Sequence, residues 1–412
     1  MAQASQPAPG STPSGTFSAR RNIRLLTAST IIAESMLFLP IWIVYLTDLR
    51  GLSLGEVGVM ETFFWAVAIV AEVPTGAFSD RFGRRATFIV ADAMGAAGIL
   101  LFALAGNLPL LILSYVLWSG GIAFNSGNMD AYVFETLAAE GRQDDFPKVI
   151  GRITAFGAFA TMAGSLIGAL MAGLISLQAP IFAGAAMFVV AIPIVALLQE
   201  PPQRRSAIPL GYMQTMREGG RALRRTPHVA LLILATTMFI LAATAGMMLN
   251  QPFLQHYDVP IAAFGLFFAP LQLLAALGVL LVYRLPQLIG MRRSLTLLFF
   301  LPPLVLVIMG SIDHLGAFAG FAIARTAMNS RAPLINDYIN RRTDSEVRAT
   351  VLSVRHLGVS IMFAVGAPIA GLLGERSLQG ALTTIGLATL LLGGVVYVLW
   401  LRADRRAPEP GG

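Results

Sequence analysis

Apolar runs of about 20 residues recur along nearly the whole chain, and each is long enough to cross a hydrocarbon core about 30 Å thick. They fall at 23–46, 56–78, 86–105, 109–135, 150–175, 179–199, 229–250, 262–284, 294–312, 315–337, 350–374 and 380–401. Lipid offers an open backbone no hydrogen-bond partner, so each run is expected to be helical. The fold class that follows is an all-α integral membrane protein with twelve crossings. Composition agrees: 12% of the 412 residues are charged and 56% hydrophobic, against about 25% charged in a soluble domain. Those values exclude a disordered, collagen-like or nucleic-acid-binding chain. The absence of cysteine removes disulfides and thiolate chemistry. The single lysine, Lys148, follows Pro147 and cannot belong to a phosphate-binding Gly-Lys-Ser/Thr loop, so no nucleotide is expected. The four histidines are scattered, and neither a metal nor any other cofactor is expected.

The basic residues set an orientation. Segments on the side of the N-terminus hold 24 of the 29 Lys and Arg, the opposite loops only Arg50 and Arg376, and Arg325, Arg331 and Arg355 fall inside spans. Such a bias places both termini in the cytoplasm of a cell (inner or plasma) membrane, and it accounts for the net charge of +7 without an anionic partner. The longest polar stretch, 201–228, divides the chain into two halves. Five segments are expected: a disordered tail at 1–21, six-helix bundles at 22–200 and 229–403, the linker between them, and a second tail at 404–412. The halves are weakly alike at an offset of about 200 residues, as Arg142-Gln-Asp144 against Arg342-Thr-Asp344 shows. Paired halves are typical of secondary transporters with a midplane site.

Between the second and third runs stands Gly76-Ala-Phe-Ser-Asp80-Arg81-Phe-Gly83-Arg84-Arg85. This resembles the GxxxDRxGRR signature of the major facilitator superfamily, with every position filled and at the family's topological place. The resemblance covers essentially the whole chain and implies two pseudo-symmetric six-helix bundles. It also implies that the loop is a conformational latch, holding the outward-facing state and opening in the other. Read as chemistry, Gly76 permits close helix approach, Gly83 a tight turn, and Asp80 and Arg84 are near enough to pair if the helix persists across the turn. Glu135, at the end of the fourth span, is a third candidate member.

Ionisable groups at span centres cost about 2.5–3.5 kcal/mol each. The resemblance places spans 1, 4, 7 and 10 around the central cavity. Glu34 lies mid-span in the first, on one helical face with Thr27, Thr30 and Tyr45; it reads as a proton-exchanging carboxylate or as a structural hydrogen-bonding group. Arg325 and Asn329 share a stripe in the tenth span with Asn336. Three readings stand for Arg325: pairing with Glu34 or Asp130, binding an anionic group of a substrate, or a fixed interhelical ion pair. Asp130 points away from the face formed by Asn125, Asn128, Tyr132 and Glu135. Glu61 and Asp92 read as structural or solvated, and Asn250 and Gln251 as neutral groups for a pocket.

These features point to a secondary active transporter, acting as a monomer by alternating access on a small-molecule substrate. Embedded carboxylates and an apolar cavity favour proton-coupled efflux of amphipathic, drug-like compounds, similar to the drug:proton antiporter branch. One departure stands against that branch: its glycine motif in span five contains a proline, and Gly164-Ser-Leu-Ile-Gly168-Ala-Leu has none. The alternatives are a symporter or facilitator importing a metabolite, and a non-transporting sensor. No nucleophile–base pair suggests an enzyme.

Overall fold

The computed structural model describes residues 17–202, 220–221, 223–343 and 345–406, without the side chains of residues 72, 73, 345–347 and 349. Twelve helical crossings run through it, and no strand occurs among the described residues. The first half holds α1 (Ala19–Ala33, continued beyond a break by Trp42–Val44 and Tyr45–Leu49), α2 (Leu54–Phe82) and α3 (Arg84–Leu104). It goes on with α4 (Leu108–Asn125 and Asn128–Ala138), α5 (Phe146–Leu174) and α6 (Ala179–Ala196). The second half comprises α7 (Pro227–His256), α8 (Phe264–Leu281), α9 (Met291–Gly310), α10 (Ala319–Arg342), α11 (Ser345–Arg376) and α12 (Leu378–Arg406). The twelve-helix architecture expected from the apolar runs is therefore present.

Several boundaries move for local reasons. The expected tail at 1–21 ends early, because α1 begins at Ala19: Ser18 caps it by accepting from the Arg21 N–H at 3.3 Å. Buried Asn22 then exchanges hydrogen bonds with the Gln199 backbone at 3.1 and 3.0 Å, tying α1 to the end of α6. At the other terminus α12 continues to Arg406, because Asp404, expected in a tail, is buried and bonded to Arg292 and Tyr338. Residues 1–16, 407–412 and most of the 201–228 linker lie outside the described residues.

The two halves repeat one plan. Gly83 and Gly290, which lead into α3 and α9, share a left-handed conformation (φ +90° and +83°, ψ 165° and 156°) that a side chain would strain. Tyr132 on α4 donates to the Gln199 carbonyl beyond α6, and Tyr338 on α10 donates to Asp404 of α12. The halves meet along α2 with α11 and α5 with α8. The contacts that join them lie toward the end opposite the basic loops. There Thr62 donates to the Ala364 carbonyl at 2.6 Å, Trp65 stacks on Phe363 at 4.4 Å, Gly55 N–H donates to Glu375 at 2.6 Å, and Gln255 donates to Asp48 at 2.8 Å. Toward the basic end a cavity of about 460 Å³ separates α2, α3 and α4 from α11.

Candidate functional site

Ten helices among the described residues are long and apolar enough to mark themselves as membrane spans; α1 and α10 are not among them. Those two carry Glu34 and Arg325. The first is also discontinuous. Its helix ends at Ala33 with Glu34 as the C-cap, residues 34–41 form turns, and Met36 has φ +39°. Freed backbone groups in a membrane need new partners, and neighbouring helices supply them. Thr161 of α5 donates to the Glu34 carbonyl at 2.7 Å. Gln251 of α7 donates to the Leu39 carbonyl at 3.0 Å and accepts from the Ile43 and Val44 N–H groups at 2.8 and 3.2 Å. The broken segment lies directly on α5, where a Cβ at Gly164 or Gly168 would fall on the carbonyl oxygens of Ser35 and Leu37.

This arrangement corrects two readings. The expected face of Thr27, Thr30, Glu34 and Tyr45 does not exist, because the helix unwinds between its third and fourth members. Thr27 and Thr30 bond to their own helix, and Tyr45 is buried, donating to the carbonyls of Phe102 and Ala103 and accepting from Arg50 at 2.7 Å. Gln251 is not a pocket group; it is fully buried and clamps α1. The Glu34 side chain packs near Gly157 of α5, whose added Cβ would lie 3.5 Å from the Glu34 Cγ. Among the described residues its carboxyl has no hydrogen-bond or ion-pair partner.

Arg325 and Asn329 stand one turn apart on α10, the first half-buried and the second exposed. Arg325 pairs with neither Glu34 nor Asp130, and no ion pair fixes it among the described residues. Asp130 is exposed and likewise unpaired. It sits in the first turn of the segment that restarts α4 after Gly127, where a carboxylate is favoured by the unpaired N–H groups of the helix start. The opposite face of that segment points into its own half. Asn128 bonds Ser79 at 3.0 Å and the Arg84 carbonyl at 3.1 Å, and Tyr132 and Thr136 are fully buried.

The motif loop also differs from its expected pairing. Because α2 stops at Phe82 and Gly83 turns the chain, Asp80 and Arg84 do not share a helix face, and they do not pair. Arg84 instead bridges to Glu135 at 2.8 Å and donates to Ser79 at 2.9 Å, while Asp80 and Arg81 are exposed. Glu200 holds the loop from the far end of the half. Its carboxylate accepts from the Arg84 and Arg85 N–H groups at 2.5 and 3.0 Å, neutralising the start of α3. Glu200 stands in Glu200-Pro201-Pro202 directly after the sixth apolar run, and nothing in that sequence marks its contact with the loop. Gly76 permits no close helix approach here; a Cβ on it would meet nothing within 4 Å, and it lines the cavity beside Trp65, Asn128 and His356.

Comparison with known proteins decides the family. The profile of the Major Facilitator Superfamily matches residues 25–328. The chain belongs to the major facilitator superfamily. Its fold is similar to that of the nucleoside transporter NupG, a mutant of which aligns over 94% of this chain and 100% of its own with 11% identity and a TM-score of 0.79. A bacterial homologue of the human lysosomal transporter Spinster, in an inward-facing and unoccupied conformation, aligns over 94% of this chain and 98% of its own, with 16% identity and a TM-score of 0.69. No curated protein matches in sequence. At these identities the two structures show the major facilitator fold alone. Among the described residues no group of three His, Asp or Glu side chains is placed to hold a metal.

Proposed function

We propose that this chain is a proton-coupled exporter of small amphipathic compounds, working as a single chain by alternating access in a bacterial inner membrane. Membership of a transporter superfamily supports transport. The basic loops support cytoplasmic termini, and on that orientation the sealed end faces outward and the cavity opens to the cytoplasm. The observation that carries the coupling is Glu34: an unpaired carboxylate at the point where α1 unwinds against α5. A group there can be loaded and emptied as the two halves rock, and its charge would be felt by the contacts that hold the broken helix. In this reading the motif loop is unlatched, with Arg84 parked on Glu135 and Asp80 waiting for the opposite state.

Everted membrane vesicles energised to an inside-acid pH gradient test this. A panel of amphipathic compounds of either charge is added while the gradient is followed by dye fluorescence. Some compounds are expected to collapse it, and Glu34→Gln is expected to lose at least about nine tenths of that response with the protein still folded. A full response in Glu34→Gln removes that residue from coupling. Uptake of a metabolite without any gradient collapse turns the reading to import.

A further inference from the structure

Among the described residues, the carboxyl and guanidinium groups buried within the spans and left out of ion pairs are segregated by half; the acids of the second half, half-buried Asp337 and buried Asp404, are paired with Arg341 and with Arg292 and Arg342. The first half holds acids: Glu34, half-buried, with Glu61 and Asp92 only 6% and 9% exposed. The second holds arginines: Arg325, half-buried, with Arg331 and Arg355 only 3% and 7% exposed. Among the described residues none of the six is in an ion pair. The two sets are not equivalent. A buried carboxyl can discharge itself by taking a proton, whereas a guanidinium cannot lose one in a protein. The second half therefore carries three standing positive charges with no ion-pair partner among the described residues.

Its local environment sharpens the imbalance. Arg331 lies over the Phe299 ring at 4.8 Å, which satisfies one face of the guanidinium, yet its Nη1 has no hydrogen-bond partner. Arg355 comes across from α11 close enough to repel it, and its Nε is also without a partner. Removing a single charge from water is costly, and two like charges together cost more. Arg325, on the same helix, is the one of the three that is not fully enclosed, with exposed Asn329 one turn away on its stripe.

We infer that the transported compound carries an acidic group, and that α10 receives it. Arg325 is the contact, Asn329 adds a neutral hydrogen bond, and Arg331 and Arg355 behind them supply a fixed positive field. A planar guanidinium suits a carboxylate or a phosphate-like group through two parallel hydrogen bonds. This rests on the transport reading and narrows its substrate class to amphipathic organic anions. The acids of the first half are then left to protons.

The test is binding without a gradient, so that it fails or succeeds separately from proton coupling. Naphthylacetate, naphthylacetamide and naphthylmethylamine present one apolar skeleton as acid, amide and amine. Each is titrated calorimetrically into the full-length protein in lipid nanodiscs, with empty nanodiscs subtracted. The acid is expected to bind saturably, at least about tenfold more tightly than the amide, with the amine weakest. Arg325→Gln should bring the acid to the level of the amide, and Arg325→Lys should retain most of the preference. Arg355→Gln should lower the acid-to-amide ratio severalfold, a change that loss of packing alone would not produce. An amine that binds as tightly as the acid, an acid-to-amide ratio unmoved in Arg325→Gln, or no saturable binding of the acid overturns the inference. Should Arg325→Gln fail to fold, the order of the three compounds on the unaltered protein and on Arg325→Lys still decides.

Discussion

At the scale of single residues, two kinds of glycine carry different demands. Gly164 and Gly168 have no room for a side chain, since the carbonyl oxygens of Ser35 and Leu37 occupy the space. Overpacking of this kind costs about 1–3 kcal/mol. Gly168→Ala is therefore expected to lower the melting temperature in detergent by several degrees. Gly76 stands beside a cavity and has no neighbour for a Cβ to strike. Gly76→Ala should leave that melting temperature within about one degree and slow turnover, if α2 must pack closely there when the basic end shuts. Equal thermal losses in both variants would mean that Gly76 is enclosed in the form that dominates in solution. Gly164 and Gly168 stood out in the sequence only as the glycine motif of span five. What they pack against was not legible, because it is backbone that only the broken α1 brings there.

The break itself belongs to the scale of elements. Residues 34–41, Glu-Ser-Met-Leu-Phe-Leu-Pro-Ile, are mostly apolar and read naturally as continuous helix. Glu34 and Pro40 were the only local signs otherwise, and both are tolerated in membrane helices. What unwinds the segment is tertiary: α5 presses on it at two glycines, and Gln251 accepts and donates where the helix would have bonded to itself. Sequence periodicity cannot register a partner more than 200 residues away. The second interruption, in α4, had a plainer sign in Ser126-Gly127-Asn128, and Gly127 is left-handed there. The spans and the two halves were legible because hydropathy and charge bias act locally. The pairing of Asp80 with Arg84 was expected only if helix persisted across the turn, and it does not, because Gly83 ends α2 there. Removing Gln251 tests its role. Gln251→Leu leaves three buried backbone groups without partners, each costing about 1–3 kcal/mol. Spin labels on Leu49→Cys and Ile312→Cys, exposed positions on either half at the sealed end, can be placed without other changes because the chain has no cysteine. In Gln251→Leu their distance distribution should shift to longer separations. An unchanged distribution would show that the seal does not depend on Gln251.

For the whole molecule, the hydrogen bonds and ring contact that join the halves among the described residues gather toward one end, while the bonds of the motif loop stay within the first half. Arg84 and Glu135 belong to the same half, as do Glu200 and the start of α3, so these bonds can persist while the halves move. Asp80 differs: it is exposed and unpaired, and it is the loop's acidic member with nothing to do in this state. If it bonds across the halves when the basic end closes, its charge stabilises only the outward-facing state. A charge-assisted hydrogen bond contributes about 1.5–3 kcal/mol, which corresponds to about a 10- to 150-fold change in the ratio of the two states. Asp80→Asn is then expected to shift the population toward the form open at the basic end. Spin labels spanning that end should show the wider separation under all conditions. The affinity of detergent-solubilised protein for a transported compound should change by no more than about twofold, because Asp80 does not touch the embedded charges, while turnover in vesicles falls at least about tenfold. A loss of affinity with turnover at saturation preserved would place Asp80 in binding and take the latch role from it.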